Sequence, residues 1–152
     1  MTDCFVFTIN NYTEEEEATL KAISAPYSIL FGHEVGAKGT PHLQGMIWRE
    51  DMSRMRRDRT EKLLGGRAHL EVCHAFEESL AYCCKDLDIY CNQQAINDLA
   101  KLLFKMSNCR AFIGCCLYNA IFGTEYNEEF LNCVLEHHKH FHKNCPSKTL
   151  TF

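Results

Sequence analysis

Apolar and polar positions alternate from Cys4 to Asn10 (CFVFTIN), and again from Arg67 to Cys73. In the second stretch Ala68, Leu70 and Val72 fall on one side and His69, Glu71 and Cys73 on the other. A period of two marks a half-buried β-strand. Tyr27 to Val35 and Thr40 to Arg49 read as two further strands around a tight turn at Gly36 to Gly39, and Leu87 to Cys91 as a short fifth. A three-residue connection, Ala37 to Gly39, suits that hairpin if Gly39 takes the left-handed conformation. Helical stretches lie between the strands. Thr13 with Glu16 three residues on forms a capping box, and Glu14 to Glu17 favour the positive end of a helix that Pro26 stops at about Ser24. Met52 to Leu64 predicts a second helix, ended by Gly65-Gly66, and Ala75 to Lys85 a third. Ile96, Leu99, Leu102, Leu103 and Met106 recur at the spacing of an amphipathic fourth. The order β-α-β-β-α-β-α-β predicts an α+β domain, a largely antiparallel five-stranded sheet flanked by helices. We expect it over residues 1–92, with 93–152 a helical, Cys- and His-rich extension.

Composition narrows the setting. The longest apolar stretch, Ala111 to Phe122, is broken by Gly114 and Asn119 and is too short to span a bilayer, so no membrane partner is expected. The opening MTDCFVF has no basic region ahead of an apolar one, so no secretory signal is expected. Ten cysteines then belong to a reducing compartment and are expected as small buried apolar residues rather than a disulfide framework. The net charge of −4 excludes a protein that coats nucleic acid by charge alone. Local balance differs: Arg49, Arg54, Arg56, Arg57, Arg59, Lys62 and Arg67 outnumber Glu50, Asp51, Asp58 and Glu61 between Arg49 and Arg67. Such a patch suits local phosphate contact, and its bland alternative is a solvated helix face.

Two constellations carry chemistry. Side chains alternate along a strand, so His42 and Gln44 share a face. If the hairpin is centred on Lys38, Glu34 stands opposite His42, with Cβ atoms about 5 Å apart. A carboxylate, an imidazole and an amide oxygen could together hold Mg²⁺ or Mn²⁺. The same residues would also serve as an ordinary polar strand surface. Tyr82 and Lys85 lie three apart, on one face of a helix. An ammonium beside a phenol favours phenolate and can hold a phosphate oxygen as charge develops. Alone, this pair also fits a packed tyrosine and a solvated lysine.

In order and spacing the chain resembles the catalytic domain of replication-initiator (Rep) proteins of circular single-stranded DNA viruses. These are of the circovirus and nanovirus type, within the HUH endonuclease superfamily. The resemblance rests on Phe7-Thr8-Ile9-Asn10-Asn11, on Pro41-His42-Leu43-Gln44-Gly45 with glutamine in place of a second histidine, and on Ala81-Tyr82-Cys83-Cys84-Lys85. It covers about residues 3 to 92. It implies Tyr82 as the nucleophile, joined to the 5′ phosphate of a nicked strand, and Glu34, His42 and Gln44 as the metal ligands. Lys85 would position the phosphate. Asn10 and Asn11 would lie near the DNA, and Arg54, Arg56 and Arg57 could touch phosphate. The substrate implied is single-stranded DNA at an origin stem-loop, nicked and rejoined to start rolling-circle replication in the host nucleus.

The chain also departs from that family. It has no phosphate-binding G-x-x-x-x-G-K-[ST] loop, so no helicase domain is expected; an excised domain, a truncated or captured viral gene, and an initiator that works with a separate helicase and host replication proteins all fit. Cys133, His137, His142 and Cys145 could hold zinc, although their spacing matches no standard finger and a helix with surface histidines suits them better. Two other functional classes compete with the enzyme. One is a catalytically silent nucleic-acid-binding module derived from such an initiator. The other is an RNA-binding sheet, which would stack bases on strand aromatics and need no tyrosine–lysine helix.

Overall fold

A computed structural model describes residues 2–49, 51–84, 86 and 88–103. Lys85 and the proposed zinc residues Cys133, His137, His142 and Cys145 lie outside them. The elements run β1 (Cys4–Asn10), α1 (Glu14–Lys21), β2 (Tyr27–Val35), β3 (Pro41–Arg49), α2 (Arg57–Leu63), β4 (His69–Val72), α3 (Phe76–Cys83), β5 (Ile89–Cys91) and α4 (Gln93–Leu103). The five strands form one sheet in the order β4-β1-β3-β2-β5, with every neighbouring pair antiparallel. This is the expected α+β architecture.

Strand alternation sorts the sheet into two faces. Phe5, Phe7 and Ile9 of β1, Ile29 and Phe31 of β2, Leu43 and Ile47 of β3 and Leu70 of β4 pack in one apolar core with Leu20 of α1 and Leu64 beyond α2. That face is closed by α1 and α2. The opposite face is divided. At one end Leu30, Met46 and Trp48 are buried, and Phe76 of α3 meets Trp48 edge-on at 5.2 Å between ring centres. Asp98 of α4 accepts hydrogen bonds there from Ser28 Oγ (2.7 Å) and Trp48 Nε1 (2.9 Å). The other end of this face is polar and carries Thr8, Glu34, His42 and Gln44.

Local chemistry sets the boundaries. The capping box closes as expected: Thr13 Oγ1 accepts from Glu16 N–H at 3.2 Å, and the Glu16 carboxylate accepts from Thr13 N–H at 2.9 Å. Helix α1 ends at Lys21, short of Ser24, because Ile23 N–H turns back to the Leu20 carbonyl in a tighter final turn. The helix expected over Met52 to Leu64 is shorter still. Met52 sits at φ 51°, and Met55 exchanges two backbone hydrogen bonds with Thr2 in an isolated bridge, so α2 cannot begin before Arg57. It ends as expected at Gly65 and Gly66, both with positive φ.

Candidate active site

The site begins with the β2–β3 hairpin. Gly39 has φ 80°, its N–H bonds the Gly36 carbonyl at 2.8 Å, and Gly36 N–H bonds the Thr40 carbonyl at 2.9 Å. This turn fixes the register, and Glu34 pairs with His42. Glu34 is almost wholly buried, at 4% exposure. Its Oε2 lies 2.9 Å from His42 Nε2, while His42 Nδ1 faces the Thr40 carbonyl at 3.3 Å.

Those two contacts constrain the imidazole. If Nδ1–H donates to the Thr40 carbonyl, the Nε2 lone pair is directed toward Glu34, where a bound metal ion would be shared by the imidazole and the carboxylate. A histidine that donates its other ring nitrogen to a carbonyl is also the usual arrangement at metal centres.

Gln44 is two residues further along β3, on the same face and 8% exposed. Thr8 stands opposite it on β1 and donates its hydroxyl to Gln44 Oε1 at 2.9 Å. An amide oxygen has two lone pairs, so this bond orients the carbonyl and leaves one pair for a ligand. Glu34, His42 and Gln44 thus offer an oxygen, a nitrogen and a second oxygen from one hairpin, a set that fits a hard divalent ion. No other candidate emerges from acidic, His and Cys side chains alone, because no three of them gather in a metal-holding group among the described residues.

Tyr82 lies in the last turn of α3 and is 56% exposed. It lines a cavity of about 570 Å³ together with Gln44, Thr8, His69, Glu71 and Ser79. The helix approaches the sheet closely at this point. A Cβ added to Gly32 of β2 would stand 2.4 Å from the Cys83 carbonyl oxygen, so only glycine admits the end of α3 here. The sheet therefore presents Gln44 to the helix that carries Tyr82. Glu34 and His42 stand on the same face but do not line the cavity wall.

His69 and Glu71 share one face of β4, as the alternation predicts. They line this cavity, with His69 Nε2 3.0 Å from Glu71 Oε1. Sequence patterns missed the role of Thr8 beside Gln44. The alternation of β1 places Thr8 on the polar face, but its neighbour depends on strand order.

The remaining sequence-predicted residues fall into two groups. Asn10 is exposed and pairs in register with His42, and Asn11 follows it at φ 48°, a left-handed conformation that asparagine tolerates. Asn11 N–H bonds the Pro41 carbonyl at 2.7 Å. Arg67, which the sequence did not single out, holds this turn. Its Nη1 donates to the Asn10 carbonyl (2.9 Å), while Nε and Nη2 grip the two carboxylate oxygens of Glu16 (2.6 and 2.7 Å). The arginines before and in α2 are elsewhere. Arg57 lies over the Phe5 ring and donates to the Leu70 carbonyl at 2.7 Å, Arg56 pairs with Asp58, and Arg54 is exposed. Because Phe5 belongs to the apolar face, the structure does not gather Arg57 with Tyr82.

A family model described as "Putative viral replication protein" matches residues 2–86. The chain is 38% identical over 86 residues to the replication-associated protein of Canary circovirus, an alignment covering 55% of this chain and 29% of that protein. It is 39% identical over 83 residues to the replication-associated protein of Pigeon circovirus, covering 53% and 25% respectively. The matched part is thus under a third of either relative's length. It contains the whole hairpin and Tyr82, and on this match the chain belongs to the viral replication protein family and carries a circovirus-type Rep domain.

Proposed function

We propose that this domain nicks single-stranded DNA and rejoins it, with Tyr82 as the nucleophile and with Mg²⁺ or Mn²⁺ held by Glu34, His42 and Gln44. The observation that carries the reading is the shared cavity wall of Tyr82 and Gln44, one the attacking group and the other a ligand. The relatives are named replication-associated proteins of circoviruses, which supports a role in viral replication.

When bound, the ion polarises the scissile phosphate and offsets its charge. The phenol oxygen of Tyr82 attacks phosphorus, and the bond from phosphorus to the 3′ oxygen breaks. That oxygen leaves as a 3′ hydroxyl after taking up a proton, and the 5′ phosphate remains as an ester of Tyr82. One phosphate ester replaces another, so a 3′ hydroxyl can reverse the step without ATP. Lys85, three positions after Tyr82 in the sequence, is assigned to the phosphate oxygens. Asn10 and Asn11 are assigned to the approaching strand.

The stem-loop substrate, a helicase acting from another chain and work in the host nucleus complete the proposal.

The test mixes the full chain with Mn²⁺ or Mg²⁺ and a stem-loop oligonucleotide, separates the products on a denaturing gel and maps any adduct by peptide mass. A divalent-dependent adduct on Tyr82 that Glu34→Gln greatly reduces is expected. Binding without an adduct under every divalent ion would leave only the silent module, and an adduct on another residue would remove Tyr82 from the mechanism.

A further inference from the structure

Two cysteines face each other beside this cavity. In the β1–β4 ladder Phe5 pairs with Val72, so the next step of the register sets Cys4 opposite Cys73. Cys73 N–H donates to the Cys4 carbonyl at 3.0 Å. Directly opposed residues in an antiparallel, hydrogen-bonded position have Cα atoms about 5.5 Å apart. That separation is within the roughly 4.4–6.8 Å that a disulfide spans. Their side chains share the polar face, because opposed residues point to the same side of a sheet.

The two thiols differ in access. Cys4 is 4% exposed, whereas Cys73 is only partly buried. The Cys73 Sγ also lies 3.5 Å from Ser79 Oγ, and Ser79 lines the cavity one helical step before Tyr82. The neighbouring Cys4 thiol draws the Cys73 pKa down to about 6, with help from Ser79, the Ala75 N–H and His74 and against the effect of burial. The same contact, together with burial, pushes the Cys4 thiol upward. The contact thus favours thiolate at Cys73 and the protonated thiol at Cys4, the division of roles in a reactive and a resolving cysteine.

We propose that Cys73 and Cys4 are a redox pair beside the cavity, closed to a disulfide by a peroxide. The Cys73 thiolate attacks one peroxide oxygen, the O–O bond breaks, and a sulfenic acid and hydroxide result. Cys4 sulfur then attacks the Cys73 sulfur. The S–O bond breaks, and the departing hydroxide takes the Cys4 proton to become water. Oxidation of Cys73 removes the negative neighbour that kept Cys4 protonated, so the first step prepares the second. The new bond takes Cys73 away from Ser79 and draws in the wall beneath Tyr82, which slows cutting several-fold. This consequence for cutting rests on the function proposed above, whereas the bond itself does not.

The experiment uses the full chain, reduced and then exposed to equimolar hydrogen peroxide, blocked with an alkylating agent and mapped without reduction. A peptide joining Cys4 to Cys73, lost on treatment with dithiothreitol, is expected. Cys4→Ser should stop at a Cys73 sulfenic acid that dimedone traps, and Cys73→Ser should leave Cys4 reduced. In unoxidised wild-type protein Cys73 should alkylate faster than the other cysteines. A link from either residue to Cys83 instead, or ordinary alkylation of Cys73, overturns the pair. If the link forms and cutting is unchanged, the switch is overturned. If reduced protein does not cut at all, the nicking proposal falls while the peptide map still decides the pair.

Discussion

The two faces of the sheet are made from alternate residues of the same strands and meet different demands. Phe5, Phe7 and Ile9 point into an apolar core closed by α1 and α2, whereas Thr8 and Asn10, one step away, point to the face with Glu34, His42 and Gln44. On the closed face stability follows from area removed from water, at about 25 cal/mol per Å². On the polar face a buried carboxylate and imidazole are costly to bury and depend on each other for compensation. The contrast teaches that the chemistry is arranged by register rather than by sequence proximity. A one-residue slip of β1 would exchange the two faces and destroy both.

The sharpest test of this division is Tyr82→Phe. The hydroxyl is the proposed attacking group, so cutting and covalent adduct should fall by at least about a thousandfold. The melting temperature should hardly move, because changes at exposed positions usually stay within about 0.5 kcal/mol. A large loss of stability would show that Tyr82 belongs to the packing and not to the chemistry.

Two glycines distinguish the faces next. A Cβ at Gly45 would meet the Phe7 ring at 2.4 Å and the Leu30 carbonyl oxygen at 2.6 Å, in the closed core. Gly45→Ala should cost about 1–3 kcal/mol, read as a lowered urea midpoint. Gly32→Ala meets the Cys83 carbonyl and must push the end of α3 off the polar face. Its stability cost should be similar, but in protein confirmed as folded it should also depress cutting, which Gly45→Ala should spare. Equal activity in the two folded variants would break the link between α3 seating and Tyr82.

Thr8→Val is a subtler probe. It keeps the shape of the side chain but removes the donor to Gln44 Oε1, a bond of about 0.5–1.5 kcal/mol net. Mn²⁺ affinity, read by titration calorimetry, should weaken by about threefold to tenfold, given 1.4 kcal/mol per decade. Thr8→Ser should restore it. Equal affinity in Thr8→Val and wild type would remove Thr8 as a positioning residue.

How much of this was legible in the sequence depends on distance along the chain. The Glu34–His42 pair was legible because one four-residue turn, with its left-handed Gly39, fixes its register. β1 and β4 were legible from their apolar alternation, and β2, β3 and β5 from β-forming runs bounded by turn residues. The Met52 to Arg56 segment was not: its apolar and charged spacing suits a helix, but Thr2, far earlier in the chain, takes the backbone of Met55. The meeting of Thr8, Gln44, His69 and Tyr82 was equally hidden, because it needs the order β4-β1-β3 and the seating of α3 at Gly32. The arginines of α2 showed a charge pattern, but the pattern does not specify a face, and the packing of Leu64 with Phe5 decides it.

The smallest expected effect concerns the clamp at the edge of the polar face. The Arg67 guanidinium, and behind it the Thr13 N–H, hold the Glu16 carboxyl down at about 2, against an ordinary value of 4.5. A carboxyl whose pKa is depressed on folding stabilises the fold above its unfolded value and loses that contribution as pH falls through the folded one. The window is therefore about pH 4.5 down to about 2. Arg67→Ala should flatten the pH dependence of the melting temperature in that window and leave a remnant from Thr13. Above pH 5 the two proteins should differ by a small, salt-sensitive offset, since Arg67 is half exposed and Glu16 partly exposed. Arg67 also donates to the Asn10 carbonyl, so Arg67→Ala should raise the amount of DNA needed for half-maximal cutting more than it lowers the rate at saturation. A change in rate alone would place the Asn10–Asn11 turn in the chemical step rather than in the path of the strand.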